Sequence, residues 1–315
     1  MTRICYFSPD FPQPSGGVKT LYRHVHRLRE SGFDATIVHQ KQGFRASWHP
    51  YDVPVIWLQD RPQFSSTDVL VFPEVMADAV RQSQQLGDRR VVIALSWAPA
   101  YNRLQPGERW QDLGINHVLA KSRTVQRILK WQMGIDVTII PEFVDPRLYH
   151  VESESKDPQV AYMTRKDRSG EWLQGVLTGK GAPFSEFAWQ PLRNLDEASY
   201  AAHLRRSAIF LPTTLQEAMH VSILEAMACG CLVIGYTGIG GKEYMIGAGE
   251  GQNAILVENG DLHALGHALE ETMVALHRNP DQFAAIIENG IATARAFQNA
   301  EAEIAALRTF FGSFD

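Results

Sequence analysis

Short apolar runs alternate with segments of helical period along most of this chain, and few folds accommodate that pattern. Ile4 to Phe7 is the first run. A loop rich in proline and glycine, Ser8 to Gly17, follows it. Val18, Leu21, Tyr22, Val25 and Leu28 then recur at the spacing of one helix face, and Gly32 stops the helix. Ala35 to His39 is the next run. Strand, helix, strand in this order predicts a βαβ unit, which requires a parallel sheet covered by helices. Further runs at Val53–Leu58, Val69–Phe72, Val91–Leu95, His117–Ala120 and Val137–Ile140 extend the sheet, with helical segments at Val75–Leu86 and Ser122–Met133. The first α/β domain is expected to cover residues 1–150.

His150 to Pro158 is polar and charged, has no apolar period, and reads as a linker. A second α/β domain is expected over 158–298. Its signals are runs at Gln159–Met163, Glu186–Trp189 and Ile209–Leu211, a helix around Tyr200–Ser207, and a last strand at Ala254–Val257. Asp261 caps a helix carrying Leu262, Leu265, Leu269 and Met273. Two more helices follow, the last with Ile304, Leu307, Phe310 and Phe311 on one face. Both halves read as Rossmann-like, and 315 residues suffice for two such domains.

A net charge of −5 argues against a nucleic-acid backbone as general partner. Cys5, Cys229 and Cys231 lie in or beside apolar runs, as buried free thiols of a reducing cytoplasm would. No set of side chains has metal-ligand spacing, so no metal cofactor is expected. MTRICYFSPD reads as a first strand rather than a leader peptide. No apolar run approaches the ~18 residues of a membrane span. A soluble cytoplasmic protein is expected, and loose attachment to a membrane face is compatible with it.

Function is written most densely in LPTTLQEAMHVSILEAMACGCLVIGYTGIGGKE, Leu211 to Glu243. It reads as strand, polar loop, helix over Ile223–Cys229 stopped by Gly230, strand, and a tight turn at Gly238, Gly240 and Gly241. Glu217 precedes the helix and Glu225 lies inside it. A helix N-terminus offers unpaired N–H groups and partial positive charge, which suits a phosphate. Ionised carboxylates only accept hydrogen bonds, which suits sugar hydroxyls. The combination points to a sugar-nucleotide pocket. Ser222-x-x-Glu225 also fits a capping box, in which Glu225 merely returns to the Ser222 backbone. That alternative leaves Glu217, Ala226-Met227-Ala228-Cys229-Gly230 and the later glycine turn without a reason.

The spacing Glu217-x7-Glu225 with its continuation resembles the retaining GT-B glycosyltransferases of the Glu-x7-Glu type (glycosyl transferases group 1). Ala218-Met219-His220 departs from the Gly-Phe-Gly usual after the first Glu, while Gly240, Gly241 and Glu243 fit the family's glycine pair and acid with one residue fewer. The resemblance implies two Rossmann-like domains with parallel sheets facing across a cleft, and a terminal helix, 299–313, packing back on the first domain. It implies that Glu217 faces the donor sugar and that Glu225 holds the ribose. Amides from Val221, Ser222, Ile223 and Leu224 would take the diphosphate, with His220 beside them. Gly16 and Gly17 match the N-terminal glycine loop.

Arg165 matches a strand-end Arg that would stabilise the leaving diphosphate, and Lys166 or Arg168 matches its companion Lys. Ser96-Trp97 stands where many members carry a histidine for the sugar 6-hydroxyl, and an apolar Trp97 would suit the methyl of a 6-deoxy donor. Glu74 and Glu142, at strand ends of the first domain, are candidate acceptor contacts. The activity implied is retaining, metal-independent transfer from a nucleoside-diphosphate sugar to a hydroxyl of a glycan or glycolipid, with no cofactor. A sugar-nucleotide 2-epimerase and a non-catalytic sugar-nucleotide or glycan-binding subunit are the competing readings.

Overall fold

The computed structural model describes residues 2–314 except Glu154, Arg165 and Lys166, and excludes the side chains of residues 99–101. The chain forms two compact units, Met1–Glu142 with Ala300–Asp315, and Phe143–Asn299. In chain order the first unit contains β1 (Arg3–Phe7), α1 (Gly16–Glu30), β2 (Asp34–His39), β3 (Val55–Trp57), β4 (Val69–Pro73), α2 (Ala77–Gln82), β5 (Arg90–Ala94), α3 (Ala98–Arg103), β6 (His117–Ala120), α4 (Arg123–Met133) and β7 (Val137–Ile139). The second contains β8 (Asp157–Met163), α5 (Ser169–Thr178), β9 (Ala188–Leu192), α6 (Glu197–Arg206), β10 (Ser207–Leu211), α7 (Val221–Ala228), β11 (Leu232–Gly235), β12 (Ile255–Leu256), α8 (Leu262–Arg278) and α9 (Ala284–Arg295). The last helix, α10 (Ala300–Gly312), returns to the first unit.

Both sheets are parallel. The first runs β3-β2-β1-β4-β5-β6-β7 and the second β12-β11-β10-β8-β9. Strands such as Val69–Phe72 and Val91–Ala94 are buried along their whole length, as expected where helices cover both faces. Three expectations shift. The helix expected at Val75–Leu86 is broken: 3-10 turns at Glu74–Met76 and Gln84–Leu86 flank the short α2. The strand expected at Glu186–Trp189 lies later, at Ala188–Leu192, and includes Pro191. Pro191 is accommodated because β9 is an edge strand, where one missing N–H is harmless. Within the polar run expected as a linker, Lys156 is anchored to the second unit. Lys156 bonds the carbonyl of Arg205 at 2.5 Å and that of Cys229, a cation set at two helix C-termini.

The first unit is tied together by buried charge. Arg23 on α1 meets Glu303 of α10, Nε to Oε1 at 2.9 Å, and Glu142 at 2.7 Å. Lys121, at the end of β6, also pairs with Glu142 and donates to Thr20 Oγ1 at 3.0 Å. The two cations and two carboxylates are all nearly inaccessible to water. Charges taken this far out of water persist only when paired and hydrogen-bonded. Arg23 and Lys121 accordingly hold the Glu142 carboxyl far below the usual carboxylate range against the opposing effect of burial.

Candidate functional site

The order of the second sheet reverses at β8, with β9 on one side and β10 on the other. Ligands of open parallel sheets gather outside the carboxyl ends of the strands at such a reversal. The loop 212–220 leaves β10 at that end, and the turn 236–243 leaves the neighbouring β11. These segments are pressed together backbone to backbone. Tyr236 N–H donates to Pro212 O at 2.9 Å, and Ile239 N–H to Leu215 O at 3.1 Å. A Cβ at Gly235 would lie 2.3 Å from Pro212 O, one at Gly238 2.9 Å from Leu215 O, and one at Gly240 2.6 Å from the Ala218 carbonyl. Glycine is demanded at each position by the approach of another backbone.

Loop 212–220 delivers the start of α7. His220 adopts φ 55, ψ 50, the left-handed region, immediately before the helix. Histidine tolerates that region better than most residues, whereas glycine enters it without strain. This is a physical reason for the glycine that the resembled pattern carries at this position. The Tyr244 hydroxyl lies 2.9 Å from His220 O and 3.1 Å from Met219 O, so it secures the same turn. Asn253 in turn holds Tyr244, donating to its carbonyl at 2.8 Å. Neither Tyr244 nor Asn253 was singled out from the sequence. The only available signal was their nearness to Gly240, Gly241 and Glu243.

Helix α7 begins at Val221, so Ser222 lies inside it, and no side-chain cap closes its start. The capping-box alternative for Ser222 and Glu225 is therefore overturned. Of the four amides proposed for a diphosphate, that of Ile223 already donates to His220 O at 3.0 Å. The helix ends in a Schellman motif: Cys231 N–H reaches Ala226 O at 3.0 Å, Gly230 N–H reaches Met227 O at 2.9 Å, and Gly230 has φ 76.

Glu217 is half-buried in the loop. Glu225 is only 4% exposed. It lies close enough to Tyr149 and Tyr200 that its charge, after burial, raises both phenols well above their ordinary value. Cys229 and Cys231 are buried thiols; burial raises both, Cys231 to about 12. Arg165 and Lys166 lie outside the described residues. Arg168 is exposed at the start of α5 and pairs with Glu171 at 2.8 Å, so its charge is directed along its own helix.

In the first unit the glycine loop is helical: Gly16 and Gly17 form the first turn of α1. A Cβ at Gly17 would lie 3.2 Å from Leu95 Cδ1, whereas Gly16 faces open space. Trp97 is half-buried between β5 and α3. Glu74 and Glu142 are not strand-end carboxylates open to a ligand. Glu142 belongs to the Arg23 cluster, and Glu74 is buried against backbone amides of Leu95 and Ser96. Sequence position could not distinguish these from exposed acids, because their partners are remote in sequence.

Among the described residues, no group of three or more His, Cys, Asp or Glu is arranged to hold a metal ion. None of the described helices is long and apolar enough to cross a membrane.

Two parallel sheets with helices in a two-domain α/β chain match the GT-B architecture, and a family match and a curated relative mark the chain as a glycosyltransferase. Residues 181–274 match the family described as Glycosyl transferases group 1. An alpha-1,6-glucosyltransferase of Actinobacillus pleuropneumoniae serotype 7 is 24% identical over 233 residues, 71% of this chain and 69% of that one. Among solved structures, sucrose-phosphate synthase of Thermosynechococcus elongatus superposes with a TM-score of 0.74 at 14% identity, covering 99% of both chains. The pneumococcal O-GlcNAc transferase GtfA, in complex with UDP and GlcNAc, gives 0.72 at 10% identity, covering 99% of this chain and 98% of that one. Anabaena HepE in complex with UDP-glucose gives 0.65 at 14% identity, covering 99% of this chain and all of that one.

Proposed function

We propose that this chain is a retaining, metal-independent glycosyltransferase that moves a sugar from a nucleoside-diphosphate sugar to a hydroxyl of a glycan or glycolipid. The observation that carries the reading is the meeting, at one sheet's carboxyl edge, of Glu217 with a helix start held rigid by Tyr244 and the glycine turn. The second unit takes the donor. Amides at the start of α7, chiefly those of Val221 and Ser222, hold the diphosphate, and His220 lines it. Glu217 meets the sugar and Glu225 the ribose. Arg165 and Lys166 supply positive charge to the leaving group, with Arg168 nearby. The first unit binds the acceptor near Gly16, Gly17 and Trp97. Nucleic acid has no part in this reading, and peripheral attachment to a membrane face is compatible with it.

UDP and UDP-glucose in the neighbours' structures support a uridine donor. The alpha linkage in the relative's name fits retention from an α-linked nucleotide sugar, and its glucosyl group favours glucose over the 6-deoxy sugar suggested by Trp97. Calorimetric titration of UDP, GDP and TDP into wild type and Glu225→Ala tests the donor site. One nucleotide should bind, and the variant should lose about 1.5–3 kcal/mol of affinity, the worth of a hydrogen bond to a charged group. Failure of all three to bind folded protein overturns the site. A labelled-donor assay without product would favour the non-catalytic subunit.

A further inference from the structure

Glu74 follows β4 and is only 2% exposed. Its two oxygens are divided between consecutive amides, Leu95 N–H at 2.9 Å and Ser96 N–H at 2.7 Å. Both amides lie in the turn that leaves β5, and Trp97 is the next residue. A side chain from one strand's exit thus grips the backbone of its neighbour's exit. The Leu95 side chain in that turn rests against Gly17 in the first turn of α1. The first sheet reverses order between β1 and β4. The exits of β1, β4 and β5 are therefore where this unit should hold a ligand.

We propose that Glu74 is a positioning residue that fixes the Leu95–Ser96–Trp97 turn and thereby presents Trp97 to the acceptor-side substrate. The proposal rests on the glycosyl-transfer reading above. A carboxylate suits the task because both oxygens accept, so two adjacent amides are served at once. A glutamine serves only one of them and turns its NH2 toward the other.

Burial pushes the Glu74 carboxyl up to about 7, opposed by the amides it accepts from and by Lys121 at the end of β6. The other charged groups on the neighbouring helices are engaged or exposed. On α2, Asp78 and Arg81 pair with each other at 2.6 Å, and on α3 Arg103 is exposed. Protonation replaces one accepting oxygen with a donor and releases an amide, so the turn is best held above neutrality.

Four measurements on wild type, Glu74→Gln and Trp97→Ala test this: nucleotide affinity by calorimetry, acceptor kcat/KM, its pH profile, and amide hydrogen exchange over residues 95–97. Glu74→Gln should keep wild-type nucleotide affinity and lose about tenfold to a hundredfold in kcat/KM, as small misplacements near a reacting centre do. Trp97→Ala should show the same pattern. Exchange over residues 95–97 should rise in Glu74→Gln. Wild-type kcat/KM should fall as pH drops through about 7, and Glu74→Gln should lack that step. Wild-type kcat/KM and pH profile in Glu74→Gln would overturn the proposal. So would a parallel loss of nucleotide affinity, which marks a general structural defect. Wild-type protein that binds no nucleotide strikes the donor reading instead, while the exchange measurement still decides whether Glu74 holds the turn.

Discussion

The two units secure the carboxyl ends of their strands by opposite means. In the first, acidic side chains do it: Glu74 on two amides, and Glu142 between Arg23 and Lys121. In the second, the backbone does it: three glycines let one loop lie against another, and a tyrosine hydroxyl fastens the helix start. The difference teaches which acids remain available for chemistry. Glu74 and Glu142 are buried and committed to structure, whereas Glu217 stands half-buried in the loop that leads into α7.

Breaking the first unit's device should have the largest effect. Arg23→Met removes the cation that the buried Glu142 and Glu303 share. A loss of about 3–5 kcal/mol is expected, the penalty for breaking a buried ion pair on one side, and denaturant unfolding would measure it. Next is pH dependence. The folded pKa of Glu74, about 7, lies above the unfolded value of 4.5. Its contribution to stability is therefore full below pH 4.5 and is lost as pH rises through 7. Wild type should lose about 3 kcal/mol relative to Glu74→Gln across that interval, as paired melts would show.

In the second unit, Tyr244→Phe should cost about 1 kcal/mol in stability, the net worth of one hydrogen bond, and weaken nucleotide binding with it. The smallest change sharpens the comparison. Ser222→Ala should alter stability by less than about 0.5 kcal/mol, because Ser222 lies within α7; loss of a true N-cap would cost about 1 kcal/mol.

Much of the fold was legible because a strand buried on both faces must be apolar throughout, and Val69–Phe72, Val91–Ala94 and Leu232–Ile234 announce themselves that way. β9 was displaced because an edge strand is only half-buried and tolerates Pro191, which reads as a breaker. The helix start at Glu217–Glu225 was legible as a pattern, but its boundary was not: the left-handed turn belongs to His220, where side-chain identity gives little warning. The Arg23 cluster was invisible. Arg23 and Glu303 are 280 residues apart, and no local period connects them.

That separation also orders the chain's history during synthesis. Arg23, Lys121 and Glu142 emerge from the ribosome with an unanswered charge, since Glu303 follows only after the whole of Phe143–Asn299. At about 5–20 residues per second the wait is roughly 10–30 s. The contiguous second unit can finish folding first, and the unit that begins the chain is completed last.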